Sequence, residues 1–269
     1  MNATEEIFNA IKKQLDEGTV PWHKPWVSNP SAIINHYNGK PYTGLRNRML
    51  LGCAGEYATV HQINEEGGRV KKSSKGHRVY FSKSYTKSND NGEDQKVYVL
   101  RAFTVFHIDD TTLDPKYRDV WGAPPPKDCD AKSVIEDYAA RAGIGLRWGG
   151  DSAHYSPGHD YIIVPAESDF KNNAEFWGAV FHELGHSTMK LLNRKYSYAK
   201  EELVAEICAC LCLGKLGLTP TIENSSAYIA SWKKSIADFK ATDFSDACRS
   251  AEQAFRFIFN IKDNSNEQQ

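Results

Sequence analysis

An H-E-x-x-H pattern constrains this sequence more than any other feature: His182, Glu183 and His186 lie within an apolar helical stretch. Residues four apart share one face of a helix, so His182 and His186 can bind the same metal ion. Zinc prefers imidazole nitrogen, and a catalytic zinc site has three protein ligands with one position open for water. Glu183 turns toward that position, where it can act as a general base. The pattern therefore predicts a zinc-dependent peptidase site.

The alternative is a pair of histidines that are merely packed or solvated on a helix. Two features of the surrounding sequence favour metal binding. Asn172 followed by Glu175 predicts a helix start of the capping-box type, and an apolar stripe places the histidines on a neighbouring face. Gly185 is expected to leave room above the ion. The stripe consists of Trp177, Phe181, Leu184 and Thr188.

A third ligand is expected downstream, where three acidic residues lie on a predicted helix. Glu202 and Glu206 are four apart and share a face, whereas Glu201 points about 100° away and is expected to be solvated. The alternative, a solvated acidic face, fits Glu201 better than it fits a pair embedded among Leu, Val, Ala and Cys. The helix is predicted by the spacing of Leu203, Ile207 and Leu211.

The charge of the chain is unevenly distributed. The 269 residues have a net charge of −1, but residues 1–108 hold 15 Lys and Arg against 10 Asp and Glu, which is +5, and the remainder is −6. The N-terminal part is therefore the candidate for a polyanionic partner.

The strongest basic stretch has seven Lys and Arg, no acid, and interleaved aromatic residues. Charge that follows phosphates and rings that stack on bases are what sequence-tolerant binding of single-stranded nucleic acid requires. A solvated basic surface with aromatic residues in the core is the alternative, and charge alone leaves both open. The basic residues are Arg69, Lys71, Lys72, Lys75, Arg78, Lys83 and Lys87.

Two tryptophans flank Lys24 on a proline-stiffened segment near the start of the chain. Tryptophan is usually a core residue, but exposed rings would be platforms for stacked bases. A turn and a second group of aromatic and basic residues follow at 38–48. The candidate residues for binding single-stranded DNA are Trp22, Lys24, Trp26, Tyr42, Arg46, Arg48, Lys71, Lys72, Lys75 and Arg78.

The six cysteines show no disulfide framework. Cys208, Cys210 and Cys212 crowd into one stretch of helix, where we expect Cys208 and Cys212 to face the core as small hydrophobic residues. A C-x-C-x-C metal cluster is the alternative. The start of the chain is charged and no apolar run approaches membrane-spanning length, which predicts a cytoplasmic protein with no membrane partner.

The predicted elements indicate an α+β fold with two domains. A helix at 4–16 and apolar strand runs at 79–81, 97–100 and up to 106 predict an α/β domain at 1–108. A proline-stiffened linker is expected at 109–130, and a disordered tail at 263–269. The second domain, at 131–262, is expected to hold a helix at 131–142, short strands at 146–148, 153–155 and 161–164, the H-E-x-x-H helix and three further helices.

Several segments in this order resemble the ArdC antirestriction family of plasmids and phages along nearly the entire chain. The resemblance implies an N-terminal domain that binds single-stranded DNA and a zincin-like metallopeptidase domain. It also implies protection of incoming DNA from restriction in the bacterial cytoplasm. The segments are 21–26 (PWHKPW), 38–44 (NGKPYTG), 68–76 (GRVKKSSKG), 105–106 (VF), 155–157 (YSP), 160–162 (DYI), 181–186 (FHELGH), 201–206 (EELVAE) and 228–232 (YIASW).

The spacing of Glu202 and Glu206 is similar to that in the second helix of gluzincin metallopeptidases. By that resemblance, Glu202 is the third zinc ligand and Glu206 orients a metal-bound histidine. In zincin-like folds, a strand such as 161–164 borders the cleft and pairs with extended substrate. Two functions stay open: a metalloendopeptidase that cuts a protein found on single-stranded DNA, and a non-proteolytic DNA-binding protein in which zinc is structural. Glu183 favours the first, because a structural site has no use for a base.

Overall fold

The computed structural model describes residues 2–24, 27, 29, 32–42, 44–88, 94–121, 130–218 and 226–262. Contacts between residues divide the chain into two compact units. The first consists of Met1–Lys13 and Pro30–Ala123, and the second of Gln14–Asn29 and Pro124–Gln269. Segment 14–29, which the sequence places in the N-terminal domain, is thus grouped with the C-terminal unit. Residues 122–129 of the expected linker and the tail at 263–269 lie outside the described residues.

The first unit is built on a four-stranded sheet with strand order β1-β2-β4-β3. β1 and β2 are parallel, and the other neighbouring pairs are antiparallel. Helix α1 continues past the first unit into segment 14–29. The elements are α1 (Ala3–Asp16), β1 (Ile33–Asn35), α2 (Leu45–Leu50), β2 (Gly55–Thr59), α3 (Val60–Glu65), β3 (His77–Ser88), β4 (Asp94–His107) and α4 (Arg118–Trp121).

A long antiparallel pair, β3 with β4, is the largest feature of this sheet. Its register runs from His77 opposite Val105 to Ser88 opposite Asp94. The strand expected at 79–81 is confirmed, and the two apolar runs expected at 97–106 belong to one continuous strand. Residues 89–93, between β3 and β4, lie outside the described residues.

The core of the first unit contains a buried aromatic cluster and a buried carboxylate. Tyr57 is fully buried, and the ring of His107 packs edge-on against it at 5.1 Å between centroids. Glu56 is also fully buried. Its Oε2 contacts His36 Nδ1 at 2.6 Å, and its Oε1 accepts a 2.6 Å hydrogen bond from the Tyr117 amide. Because a buried carboxylate requires such partners, these bonds fix the segment after β4 against β2.

The second unit combines helices with a three-stranded sheet of order β5-β7-β6. β5 is parallel to β7, and β6 is antiparallel to it. The amphipathic spacing of α9 buries Phe244, Cys248 and Ala251. The elements are α5 (Ala131–Ala142), β5 (Gly145–Trp148), β6 (His154–Ser156), β7 (Tyr161–Val164), α6 (Asn173–Leu191), α7 (Tyr198–Lys215), α8 (Ser226–Ser235) and α9 (Ala241–Ile258).

The ends of the helices follow the expected signals. The Asn172 side chain accepts a 3.0 Å hydrogen bond from the Glu175 amide, which confirms the predicted start of α6. In a full capping box the Glu175 side chain would accept from the Asn172 amide. Here Glu175 Oε2 accepts from the Lys171 amide instead, at 3.2 Å. Gly143 ends α5 in the left-handed conformation (φ 69°) that glycine adopts without strain.

α7 is buried on most of its circumference, as expected for an apolar helix inside a domain. Cys208 and Cys212 are fully buried, which confirms their expected core positions, and Cys210 is buried as well. Within the described part of the chain, no group of three closely spaced ligand atoms contains all three cysteines. None of the described helices is both long and apolar enough to cross a lipid bilayer.

Candidate metal centre

α6 presents His182 and His186 on one face, one turn apart. Their Nε2 atoms are 3.1 Å apart. The stripe of Phe181, Leu184 and Thr188 is fully buried and fixes which face of α6 meets the core. The two imidazoles therefore point at a common position at the edge of that core.

Glu202 on α7 completes a group of three donors. Its Oε2 is 3.5 Å from His182 Nε2, and its Oε1 is 3.4 Å from His186 Nε2. Donors bound at about 2.0–2.2 Å in a tetrahedral site lie roughly 3.3–3.6 Å from one another. The two Glu202 distances fall in this range, and the histidine Nε2 atoms, 3.1 Å apart, lie slightly closer together, so these nitrogen and oxygen donors can hold one divalent ion.

Glu206, one turn beyond Glu202, contacts the other nitrogen of His182. Its Oε2 is 3.5 Å from His182 Nδ1. Its Oε1 accepts hydrogen bonds from Tyr228 Oη at 2.5 Å and from His23 Nε2 at 2.9 Å. Sequence analysis missed His23 and Tyr228 as members of this site, because they come from segments far from α6 and α7 and no spacing links them.

The carboxylates around His182 make the centre suitable for a cation. Burial lowers the pKa of His182, but hydrogen bonds with Glu202 and Glu206 outweigh burial and raise it to about 10. The hydrogen bonds with His182 and His186 hold the pKa of Glu202 far below its usual range. Burial raises the pKa of Glu206, but His182 and His23 bring it well below its usual range. Both carboxylates are therefore ionised at neutral pH and attract a positive charge.

Glu183 lies beside the three donors and is anchored to the small sheet. It is buried, with 8% of its surface exposed, and its Oε2 accepts a 2.7 Å hydrogen bond from the Tyr155 amide. Tyr155 belongs to β6. A carboxylate held in this way is placed to take a proton from a water molecule near the donors.

The strand expected to border the cleft, 161–164, is β7, and the structure places it in the centre of its sheet. β5 pairs with one side of β7 and β6 with the other. Within the described sheet, β6 is the edge strand next to Glu183, so the expectation for β7 is wrong. Whether a strand lies at the edge of a sheet depends on which other strands pair with it. The sequence of one strand does not show this.

Glu201 is buried, contrary to the expectation that it is solvated. Its carboxylate forms an ion pair with the guanidinium of Arg194, and 9% and 3% of the two side chains are exposed. Arg194 also donates to the Gly185 carbonyl at 3.0 Å and to Thr188 Oγ1 at 2.7 Å. The pair therefore ties α7 to α6 directly behind the metal-binding face.

Gly185 serves the packing of α7 rather than leaving room above the ion. A Cβ atom at Gly185 would lie 3.0 Å from the Cα of Ala205. The missing side chain lets α7 approach α6 closely, which brings Glu202 within reach of both histidines. The expectation that this glycine makes space for the metal is therefore wrong.

A mostly apolar cavity of about 420 Å³ adjoins the donors. It lies between α6 and α7, and Glu183 and His182 form part of its wall. Small side chains on both helices create the space. The other described residues that line it are Phe170, Ala174, Glu175, Gly178, Ala179, Glu206, Ala209, Cys210 and Leu213.

The structure separates the candidate residues for DNA into buried and exposed groups. Trp22, Tyr42 and Arg48 are buried, with 1%, 3% and 6% of their surface exposed, and their proposed role as a surface for DNA is wrong. Lys24 is half-buried within segment 14–29, Arg46 is half-buried in α2, and Trp26 lies outside the described residues. The exposed candidates are Lys71, Lys72, Lys75 and Arg78.

Trp22 is buried because the aromatic residues of the second unit surround it. Its ring packs edge-on against Trp232 at 5.3 Å and lies 6.4 Å from Phe244. An indole is large and apolar, so burial in such a cluster is its usual position in a folded protein. The sequence left packing open for Trp22, and packing is what the structure shows.

Two exposed phenylalanines lie on the long hairpin: Phe81, one of the aromatic residues interleaved in the basic stretch, and Phe103, which sequence analysis missed. Phe81 and Phe103 are 37% and 42% exposed, and their ring centroids are 5.9 Å apart. Arg101 lies opposite Phe81 in the strand register and is exposed. The alternation of side chains along β3 and β4 indicates which of them share a face of the sheet. It does not indicate that this part of the face is exposed.

Two family models match the chain. The N-terminal domain of the anti-restriction factor ArdC matches residues 1–106, and a zincin-like metallopeptidase matches residues 133–249. The second match contains His182, Glu183, His186 and Glu202.

Curated relatives share most of this chain. Two Escherichia coli proteins named DNA primase TraC are 29% and 30% identical to it, and each match covers 87% of this chain. The chain spans only 18% and 25% of those primases. The uncharacterized protein y4eC of Sinorhizobium fredii is 25% identical, and the match covers 93% of this chain and 89% of y4eC.

Two crystal structures of the antirestriction protein ArdC from plasmid R388 resemble this one, both at 26% identity. The Mn(II)-bound structure has a TM-score of 0.70 and covers all of both chains. The metal-free structure has a TM-score of 0.68 and covers 97% of this chain and all of that one. The likeness and the donor set of His182, His186 and Glu202 both indicate a site for a divalent metal.

Proposed function

This chain belongs to the ArdC-type antirestriction proteins, and we propose that it binds single-stranded DNA and cleaves a DNA-associated protein at a zinc site. The observation that carries the enzymatic part is the position of Glu183, a buried carboxylate held by the Tyr155 amide next to three metal donors. By this proposal the chain is a zinc-dependent metalloendopeptidase of the cytoplasm that protects incoming plasmid or phage DNA.

In this proposal the metal donors and Glu183 have separate chemical roles. His182, His186 and Glu202 would hold zinc, whose preference for imidazole and carboxylate donors matches this set. When bound, zinc supplies Lewis acidity toward a peptide carbonyl and lowers the pKa of water. Glu183 removes a proton from the water that attacks the carbonyl carbon, and it returns the proton to the amine as the carbon–nitrogen bond breaks.

The surroundings of Glu183 suit a peptide substrate. β6 lies at the edge of its described sheet, and an extended peptide added along β6 would bring a backbone carbonyl near the carboxylate. The adjoining cavity of about 420 Å³ has mostly apolar walls. We assign it to an apolar side chain of the substrate next to the bond that is cut, because His182 and Glu183 form part of its wall.

The DNA part of the proposal is supported by features of the first unit. Phe81 and Phe103 offer exposed rings for base stacking, with Arg101 beside them. Lys71, Lys72 and Lys75 are exposed on the segment before β3. Rings stack on bases without regard to sequence, and cationic side chains follow phosphates. Single-stranded DNA therefore fits this set better than a duplex, whose bases are already stacked.

Cleavage of proteins bound to single-stranded DNA tests the proposed function. The full chain, loaded with zinc, is incubated with a single-stranded-DNA-binding protein, with and without an oligonucleotide, and the products are resolved by gel and mass spectrometry. We expect cleavage that depends on zinc and is faster with the oligonucleotide present. DNA binding without cleavage of any protein in a DNA-bound extract would favour the alternative, a non-proteolytic protein with a structural metal.

A further inference from the structure

The Glu206 carboxylate is held by side chains from two distant segments. Tyr228 Oη donates to its Oε1 at 2.5 Å, and His23 Nε2 donates to the same oxygen at 2.9 Å. The other oxygen, Oε2, is 3.5 Å from His182 Nδ1. Every contact of this cluster lies within the second unit.

His23 is fixed in place by the packing around it. It ends a short 3-10 turn, Pro21–His23, in which the neighbouring Trp22 is almost fully buried. The His23 ring stacks on the Tyr228 ring, with centroids 5.4 Å apart. Only 7% of the His23 side chain is exposed, and its Nδ1 has no hydrogen-bond partner among the described residues. Its Nε2 contacts Glu206 Oε1 at 2.9 Å and Tyr228 Oη at 3.3 Å, so the polar contacts that position this ring are both made by Nε2.

The bonds to Glu206 determine what His182 can do. A metal-binding histidine is oriented by the acceptor at its second nitrogen, which fixes both the tautomer and the plane of the ring. If Glu206 lost either partner on Oε1, one hydrogen bond instead of two would hold its carboxylate, and His182 would have a less firmly fixed acceptor at Nδ1. A buried carboxylate that loses a donor also carries a desolvation cost.

We propose that His23 and Tyr228 are positioning residues for the metal ligand His182, and that they act through Glu206. Segment 14–29 is then an integral part of the metal centre, although it lies within the stretch matched by the ArdC N-terminal domain at residues 1–106. A fragment that begins at residue 124 lacks His23 and holds zinc more weakly than the full chain. This inference rests on the proposed function only in that the chain binds a divalent metal.

An alternative to the positioning role is that His23 and Glu206 bind a second metal ion. Ligand atoms of His23, Glu206 and Cys210 lie within 4.8 Å of one another, which is close enough for all three to bind one ion. The close hydrogen bonds of Glu206 to Tyr228 and His23 favour the positioning role, since a second ion would have to displace them. Counting bound ions distinguishes the two roles: positioning requires one zinc per chain.

The test measures zinc affinity of the full chain by competition with a chelator and records the absorption of the Co²⁺-loaded protein. His23→Ala and Tyr228→Phe should each weaken zinc binding measurably, but by less than the about 10–100-fold expected for Glu206→Ala, because each removes only one of the two groups that hold Glu206. His23→Gln should restore part of the loss, because its amide nitrogen replaces Nε2. Matched controls are Tyr196→Phe, which loses only a hydrogen bond to Ser250, and His159→Gln, at an exposed histidine.

A double-mutant cycle shows whether the two residues act through Glu206. In a Glu206→Ala background, His23→Ala and Tyr228→Phe should add little further loss, because residues in one hydrogen-bond network are not additive. Circular dichroism of the metal-free variants checks that each one folds. Unchanged affinity in folded variants, fully additive losses, or two ions per chain would each overturn the inference while leaving the proposed peptidase intact. A parent chain that binds neither Zn²⁺ nor Co²⁺ would overturn both.

Discussion

The backbone amide of Tyr155 donates a 2.7 Å hydrogen bond to Oε2 of Glu183. The bond joins the edge strand β6 to helix α6 at the point where the three metal donors converge. It fixes the carboxylate in a buried position and next to the strand that we assign to the substrate. The proposed base and the proposed peptide-binding edge are thus held together by one contact.

Glu183→Gln should separate catalysis from metal binding. The amide oxygen of glutamine can still accept from Tyr155, and Glu183 is not a metal donor, so zinc content should stay at the parent level. Peptide cleavage should fall by at least about 100-fold, because general-base catalysis contributes roughly 10²–10⁴-fold. Zinc is measured by atomic absorption and cleavage by a gel assay. Glu136→Gln, at an exposed site on α5, is the control.

The same variant tests whether cleavage underlies protection of DNA. If protection requires proteolysis, cells that carry Glu183→Gln should lose protection of incoming DNA from restriction, while the purified variant binds single strands normally. A variant that cleaves nothing but still protects fully would contradict the enzymatic account of antirestriction.

Loss of any one of the three donors should release zinc more completely than loss of Glu206. His182→Ala, His186→Ala or Glu202→Ala each removes one of three protein ligands, so zinc content after dialysis should fall well below one per chain. Glu206→Ala should retain zinc with affinity lowered about 10–100-fold. Should Glu206→Ala empty the site while Glu202→Ala leaves it full, the assignment of the two glutamates is reversed.

Local spacing explains why the histidines were predictable from sequence and their supports were not. Helical periodicity alone places His182 and His186 on one face, and the Asn172 start needs only neighbouring residues. Periodicity predicts a solvated Glu201, but its partner, Arg194, comes from the turn between the two helices and buries it. Helical periodicity predicts which residues share a face of a helix. It does not predict which residues of other segments pack against that face.

Long-range packing accounts for the residues whose roles were misjudged. The indole of Trp22 is suited to stacking on a base, but Trp232 and Phe244 bury it. Both of these residues lie more than 200 positions later in the chain. His23 joins Glu206 for the same reason. For Phe81, one of the aromatic residues of the basic stretch, the sequence leaves both a core and a surface position open, because its exposure depends on where the core of the sheet ends.

The buried ion pair between Arg194 and Glu201 should contribute strongly to stability. Glu201→Ala leaves the guanidinium buried without its carboxylate, and removal of one partner of a buried pair costs about 3–5 kcal/mol. Urea denaturation followed by circular dichroism should show a lower midpoint. Lys132→Ala, which breaks an exposed pair with Glu136, should change stability by less than about 0.5 kcal/mol. Equal effects of the two substitutions would contradict a structural role for the buried pair.

Gly185→Ala should weaken the metal centre by moving α7 away from α6. The added Cβ would lie 3.0 Å from the Cα of Ala205, and backbone cannot give way as a flexible side chain can. Overpacking of this kind costs about 1–3 kcal/mol, and the shift should also lower zinc affinity because Glu202 lies on α7. Gly178→Ala on the same helix is the matched control, since its Cβ would meet Leu213 at an ordinary 3.5 Å. Equal zinc affinity in both variants would show that α7 tolerates the displacement.

Two sets of substitutions in the first unit should affect DNA binding in different ways. Reversing Lys71, Lys72 and Lys75 to Glu should weaken binding of all single-stranded oligonucleotides and flatten the dependence of affinity on salt, because phosphate contacts release counterions. Phe81→Ala with Phe103→Ala should weaken binding about tenfold or more with the salt dependence unchanged, because stacking carries no charge. Tyr37→Ala, at another exposed aromatic residue of the same unit, is the control. Fluorescence anisotropy from 50 to about 200 mM salt measures both effects. If the aromatic variants bind as tightly as the parent chain, the hairpin pair is only an exposed part of the sheet, and the lysines alone would carry the interaction.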